Sequence, residues 1–269
     1  MRYVIIIGLL VWSTNSLFST PQVVSSNEVA LNEPVSFRIT DDYAPAVSAV
    51  AYGVFDIETG EILIAHNSEE KLPIASVTKL FTASTIIKEG DLERELTITD
   101  FDVATEGRAG KLEAGQVYKT RELLFPLLLE SSNDASTALG NQVNGISFSG
   151  RVWDDASGLS DFNQASVSEL ASETRVLYLE RPYIFDITKL KQYVGEYTGW
   201  VNNSPVRDLP GYMGGKHGYT ESAGRTLVAV FEEPELKGRD LGYVLLGSKD
   251  LRKDTETLRS LIANSVSLQ

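Results

Sequence analysis

Ile74-Ala75-Ser76-Val77-Thr78-Lys79-Leu80-Phe81-Thr82-Ala83 is the stretch from which the rest of the chain can be read. Ile74, Val77, Leu80 and Phe81 recur at helical spacing, which predicts a buried helix running to about Lys88 and stopped by Gly90. Ser76 falls near its first turn. Lys79 follows three residues later on the same helical face, so an amine comes within reach of a hydroxyl. A serine hydroxyl becomes a useful nucleophile only when a neighbouring base takes its proton. The free backbone N–H groups of a helix start can face negative charge as it develops. One turn can therefore supply nucleophile, base and positive pole. The plainer reading of the same residues is an amphipathic helix with a serine cap. A second Ser-x-x-Lys, Ser68-Glu69-Glu70-Lys71, is polar throughout and reads as a solvated loop ahead of the helix.

Working outward, residues 49–56 and 61–66 read as strands joined by the turn Glu58-Thr59-Gly60. Short extended pieces at 96–98 and around Tyr118 flank a loop over 102–115. Thr120 is placed to cap a helix carrying Leu123, Leu124, Leu127 and Leu128. A break at 130–133 leads to a helix over 134–143, and 144–161 is rich in Gly, Ser and Asp and loop-like. Ser166 or Ser168 caps a helix to about residue 177. Residues 183–197 are mixed and 200–210 form a loop. Residues 214–219 lead into a strand over 226–231, a second strand covers 241–247, and 250–266 is a terminal helix. The fold class this implies is α/β of the α+β kind. One antiparallel sheet is built from N- and C-terminal strands and flanked by helices.

The 269 residues are 42% hydrophobic and 23% charged, enough for one sizeable domain. A formal net charge of −13 speaks against nucleic acid and against electrostatic docking on anionic lipid. Without cysteine there is no disulfide, thiolate or cysteine-bound zinc, and two histidines, His66 and His217, supply neither a His-based triad nor a multi-histidine metal site. His66 reads as a surface strand residue, and no metal or organic cofactor is expected. Residues 1–20 combine Arg2 with an apolar run over 3–12, short for a membrane span. They read as a secretory signal or as an uncleaved N-terminal anchor giving membrane attachment. Either places the remainder outside the cytoplasm, as a secreted, periplasmic or envelope-anchored protein. Residues 21–45, with prolines at 21, 34 and 45 and a short strand near 35–39, form a linker. The catalytic domain is expected over 46–269.

Two further motifs follow in order. Glu130-Ser131-Ser132-Asn133-Asp134 sets a hydroxyl and an amide at a helix junction. Gly215-Lys216-His217-Gly218-Tyr219 sets a cation and a close-approach glycine on a strand. With Leu72-Pro73 ahead of the first motif and Asp155-Ala156-Ser157-Gly158-Leu159-Ser160 between the others, the chain resembles the serine D-alanyl-D-alanine carboxypeptidases of low molecular mass. These lie within the wider group of penicillin-binding proteins and β-lactamases. The resemblance covers about residues 46–265 and implies a β-lactamase/transpeptidase-like fold. It also implies peptidoglycan stem peptides as substrate and β-lactams as inhibitors. By that resemblance Ser76 would form the acyl-enzyme, Lys79 would take its proton, and Ser131 would relay a proton to the leaving D-alanine. Asn133 would hold the substrate and orient Lys79, and Lys216 would attract the terminal carboxylate. Gly218 would let the substrate approach, and the amides of Ser76 and Tyr219 would form the oxyanion hole.

Two departures stand out. His217 occupies a position where the family carries threonine or serine, a substrate-carboxylate contact. The stretch from Asn133 to Ser157 is too short for the family's extra helix, which implies a trimmed helical lobe. Two other readings share part of the motif set. A class A-like β-lactamase would need a Glu-x-x-x-Asn loop between the second and third motifs, where no such pattern occurs, and the other is a non-catalytic module binding cell-wall peptides.

Overall fold

The computed structural model describes residues 37–39, 45–107 and 110–268. The expected targeting segment, 1–20, and most of the 21–45 linker lie outside the described residues. One piece of that linker belongs to the folded unit: Phe37–Ile39 pairs antiparallel with Val266–Leu268.

Five strands form the central antiparallel sheet, in the order Tyr212–Thr220, Gly224–Glu233, Arg239–Ser248, Ala51–Asp56, Ile62–His66. Segments from the two ends of the chain thus meet at the pair Arg239–Ser248 and Ala51–Asp56, as the sequence predicts. Successive side chains in a strand point to opposite faces. Leu227, Ala229, Phe231, Tyr243, Leu245 and Val54 pack with Leu251, Leu258 and Ile262 of the terminal helix. Val228, Val230, Val244, Leu246 and Phe55 face the remaining helices. Both faces are covered, which is why 226–231 and 241–246 read as near-continuous apolar runs.

Among the described residues seven α-helices complete the structure: α1 Thr78–Glu89, α2 Asp100–Val103, α3 Thr120–Leu129, α4 Asn133–Gly140, α5 Val167–Glu180, α6 Pro182–Lys189 and α7 Leu251–Ser265. Every residue of α1 from Thr78 to Ile86 is buried, so it is a central helix and not a surface one. Its buried hydroxyls are satisfied by the chain that wraps it. Thr82 Oγ1 donates to the Ala156 carbonyl at 2.7 Å, and Thr85 Oγ1 to the Ser147 carbonyl at 3.0 Å.

Some expectations need correction. Residues 144–161 hold a hairpin, Ile146–Phe148 with Arg151–Trp153, whose Trp153 stacks on Phe81 with centroids 4.7 Å apart. That packing, invisible to a composition argument, orders a Gly-rich segment. Gly199–Val201 pairs with Gln192–Val194 where a loop was expected, because Trp200 is fully buried with its Nε1 on the Gly110 carbonyl. Thr120 does not cap α3. Lys119 precedes the helix with its N–H on Glu122, and the Thr120 hydroxyl donates to Arg94 O. Helix α4 starts at Asn133, not Asp134, capped by Ser132, whose Oγ accepts from Ala135 N at 3.0 Å, and it ends at Gly140. Of the two cap candidates for α5, Ser166 is the cap, in a reciprocal pair with Glu169.

Candidate active site

A 3-10 turn, Ala75–Val77, introduces α1 and carries Ser76. The turn is clamped from both sides. Ile74 N donates to Asn163 O at 3.0 Å, and Thr226 Oγ1 on the sheet donates to Ile74 O at 2.8 Å. A Cβ placed on Gly158 would lie 1.9 Å from the Ala75 carbonyl, so only a glycine lets this loop press so closely. Ala75 takes φ +48°, a conformation that a non-glycine residue holds only when its surroundings impose it. Between Ile74 and Ile86, Ser76 is the one residue left partly exposed. A reactive hydroxyl is thereby presented on an otherwise buried element.

The Lys79 amine is fully buried and makes three contacts: Ser76 Oγ at 2.9 Å, Asn133 Oδ1 at 2.8 Å and the Ser157 carbonyl at 2.6 Å. Burial drives its pKa down from 10.5 to about 7, with the Asp155 carboxylate pulling the other way. The neutral amine has two N–H bonds and one lone pair. Two of its three neighbours are carbonyl oxygens that can only accept. They take both N–H bonds, and the lone pair is left facing the Ser76 hydroxyl. This is the arrangement a general base needs.

Asn133 opens α4, and its amide is fixed at both ends: Oδ1 on Lys79, Nδ2 on the Glu106 carbonyl at 2.7 Å. Ser131 sits at the junction of α3 and α4 with φ +62°, the left-handed conformation that ends helices. The junction is held by Ser132 N on Pro126 O at 3.0 Å. Asn203 adds its backbone N on Leu129 O and its Nδ2 on Glu130 O. The Glu130 carboxylate, nearly buried, accepts from Lys111 Nζ at 2.7 Å and Val201 N at 3.1 Å. Ser131 makes no hydrogen bond to Ser76, Lys79 or Lys216 among the described residues.

Lys216 lies on the edge strand, 1% exposed, with Nζ on the His217 carbonyl at 2.7 Å. Burial first, and then the charge of Lys79, hold its pKa well below the ordinary lysine value. Gly218 abuts the turn that carries Ser76: a Cβ there would sit 2.4 Å from Ser76 N. Tyr219 follows, 60% exposed, under the Arg225 guanidinium.

The register separates His217 from these groups. Lys216 pairs with Val228, whose side chain faces the helical core, whereas His217 pairs with Leu227, which faces α7. His217 lines a cavity of about 410 Å³ with Asn203, Arg225, Lys249 and Arg252. Lys216 and His217 therefore lie on opposite faces of the edge strand.

Hydrogen bonds thus join Ser76, Lys79 and Asn133, and packing adds Gly218. Sequence reasoning missed Ser157, whose backbone carbonyl faces the amine, and Asp155 and Asn163, which hold its loop. The run Asp155–Ser160 was the available signal, but a backbone acceptor leaves no side-chain signature. The competing Ser68-Lys71 pair is not assembled: Ser68 Oγ donates to Glu69 and Lys71 pairs with Glu169. His66 stacks on Tyr52, 5.3 Å between centroids. Among the described residues no cluster of His, Cys, Asp and Glu could hold a metal ion.

A family model described as D-alanyl-D-alanine carboxypeptidase matches residues 39–149. The D-alanyl-D-alanine carboxypeptidase DacD of Salmonella typhimurium is 26% identical over 250 residues, covering 81% of this chain and 63% of its own length. A D-alanyl-D-alanine endopeptidase of Haemophilus influenzae is 29% identical over 231 residues, 74% of this chain and 76% of the relative. Among solved structures, penicillin-binding protein D2 of Listeria monocytogenes in its ampicillin-bound form superposes with a TM-score of 0.69 at 22% identity. It covers 81% of this chain and 98% of that one, and so shares the fold.

Proposed function

We propose that the chain is a member of the serine D-alanyl-D-alanine carboxypeptidase family and is itself a serine-type D-Ala-D-Ala carboxypeptidase acting on peptidoglycan stem peptides at the cell envelope. The observation that carries this reading is the Lys79 amine, held by two acceptor-only carbonyls with its remaining valence on Ser76. The neutral amine takes the Ser76 proton as Oγ attacks the carbonyl of the penultimate D-alanine. The C–N bond then breaks, the terminal D-alanine leaves with a proton relayed through Ser131, and water hydrolyses the Ser76 ester. The amides of Ser76 and Tyr219 receive the developing oxyanion. Lys216 supplies positive potential for the terminal carboxylate.

A β-lactam enters the same route and stays. Among the described residues no Asp or Glu side chain hydrogen-bonds Ser76 or Lys79. Endopeptidase action on cross-linked peptides uses the same chemistry, and the Haemophilus influenzae relative bears that name. Localisation outside the cytoplasm follows from the substrate and from the signal-like segment 1–20. No helix among the described residues is long and apolar enough to cross a membrane.

The test is labelling by a fluorescent penicillin followed by peptide mass spectrometry, with a pentapeptide and cross-linked muropeptides as substrates. A stable adduct on the peptide bearing Ser76, absent from Ser76→Ala, is expected. Rapid turnover of the label, or an adduct on Ser68, would overturn the assignment.

A further inference from the structure

The loop that brings the third acceptor to Lys79 is organised by one carboxylate. Asp155 Oδ1 accepts from Ser157 N at 2.6 Å, from Ser157 Oγ at 2.9 Å and from Gly158 N, and Oδ2 accepts from Ser160 N. The orientation of the Ser157–Gly158 peptide follows. In a trans peptide the C=O and the next N–H point in opposite directions. With the Gly158 N–H anchored on Asp155, the Ser157 C=O must point away from it, and there it meets Lys79 Nζ at 2.6 Å and Ser76 Oγ at 3.5 Å. Asn163, fully buried, holds Asp155 in turn. Its Oδ1 accepts from Asp154 N at 2.6 Å, and its Nδ2 donates to Asp155 O at 3.1 Å and to Thr78 Oγ1 on α1 at 3.2 Å.

We infer that Asp155 is a positioning residue for the acylation step: by gathering its own loop it aims the Ser157 carbonyl at Lys79, and so aims the free valence of the amine at Ser76. The inference rests on the reading of Ser76 and Lys79 given above. Asp155 acts on that pair a second way. The charged groups that bear on the amine are Lys216 on the edge strand and Asp155 itself. The carboxylate partly offsets the burial and the second cation, which both drive the amine toward neutrality. Removing that charge lets Lys79 stay neutral to lower pH.

Two variants of the full chain separate geometry from charge. Asp155→Asn keeps an oxygen for Ser157 and Gly158 but loses the charge. Its acylation plateau with a fluorescent penicillin should stay within about threefold of wild type, while the acid limb of the pH profile moves down by about one unit. Asp155→Ala releases the loop, and its plateau should fall by about 10²-fold, the scale of a misplaced catalytic group. In parallel, ¹⁵N NMR of the lysine side chains follows Lys79 itself, with the same downward shift expected in Asp155→Asn. A loop that only stabilises the fold would lower the melting temperature and move neither the limb nor the Lys79 titration. Acylation of folded Asp155→Ala within threefold of wild type overturns the positioning role, and an unshifted Lys79 titration in Asp155→Asn overturns the effect of its charge; if Asp155→Ala does not fold, Asp155→Ser is read in its place. Wild type that takes no label would instead overturn the proposed function, while the NMR titration still reads the effect of Asp155.

Discussion

Gly218→Ala tests the contact between the edge strand and the nucleophile. The added Cβ would lie 2.4 Å from Ser76 N and 2.8 Å from Ala75 Cβ. Non-bonded contacts of this kind relax to about 3.5 Å, so strand and turn must part by about 1 Å. Neither side yields readily: Ala75 is clamped by Gly158, and Gly218 is in register with Thr226, whose hydroxyl holds Ile74. A displacement of about 1 Å at the reacting centre costs on the order of 10²-fold in rate, or about 2.7 kcal/mol in transition-state stabilisation. The assay is the second-order acylation rate with a fluorescent penicillin, alongside the melting temperature. Gly115→Ala is the control. It adds a Cβ at φ +89° with nothing within 4 Å, so it should cost about 1 kcal/mol of stability and leave acylation unchanged. Acylation of folded Gly218→Ala within threefold of wild type would refute the placement of Gly218 against the oxyanion site.

Three further outcomes are expected. Lys79→Arg keeps the charge but cannot deprotonate at useful pH, so acylation should drop by at least about 10²-fold in a folded protein; near-normal labelling would remove Lys79 as the base. In wild type the acylation rate should climb through about pH 7 and level off above it, because Lys79, with a pKa of about 7, must be neutral to accept the Ser76 proton; a rate that falls over that interval contradicts the assignment. His217→Thr should leave the pH dependence of KM superimposable on wild type, since the register turns His217 toward α7; profiles that diverge below neutral pH would bring the imidazole back to the substrate carboxylate.

Much of the fold was legible because periodicity and punctuation agreed. The apolar runs near 228 and 244 read as strands, and Leu251, Leu258 and Ile262 marked the covering helix. The assembly of the candidate site was legible where side chains in motifs meet, as with Ser76, Lys79 and Asn133. It was not legible where a backbone group takes part, as at the Ser157 carbonyl, or where an edge strand divides neighbours between two faces, as with Lys216 and His217. The hairpin over 146–153 escaped because its order comes from a tertiary contact, Trp153 on Phe81, and not from local propensity. Ser131 shows a third limit. Its left-handed backbone is held by Pro126 and Glu130 just before it and by Asn203 from far along the chain.

The order of strands in the sheet has a consequence for how the protein is made. Asp56 pairs with Leu241, and Phe37 with Leu268, so the first strands find their partners only when the last have left the ribosome. Until then Ala51–Asp56 and Ile62–His66 amount to a lone hairpin, which is marginal in water. A nascent chain of this design postpones its core until the strands from 239 onward have been made.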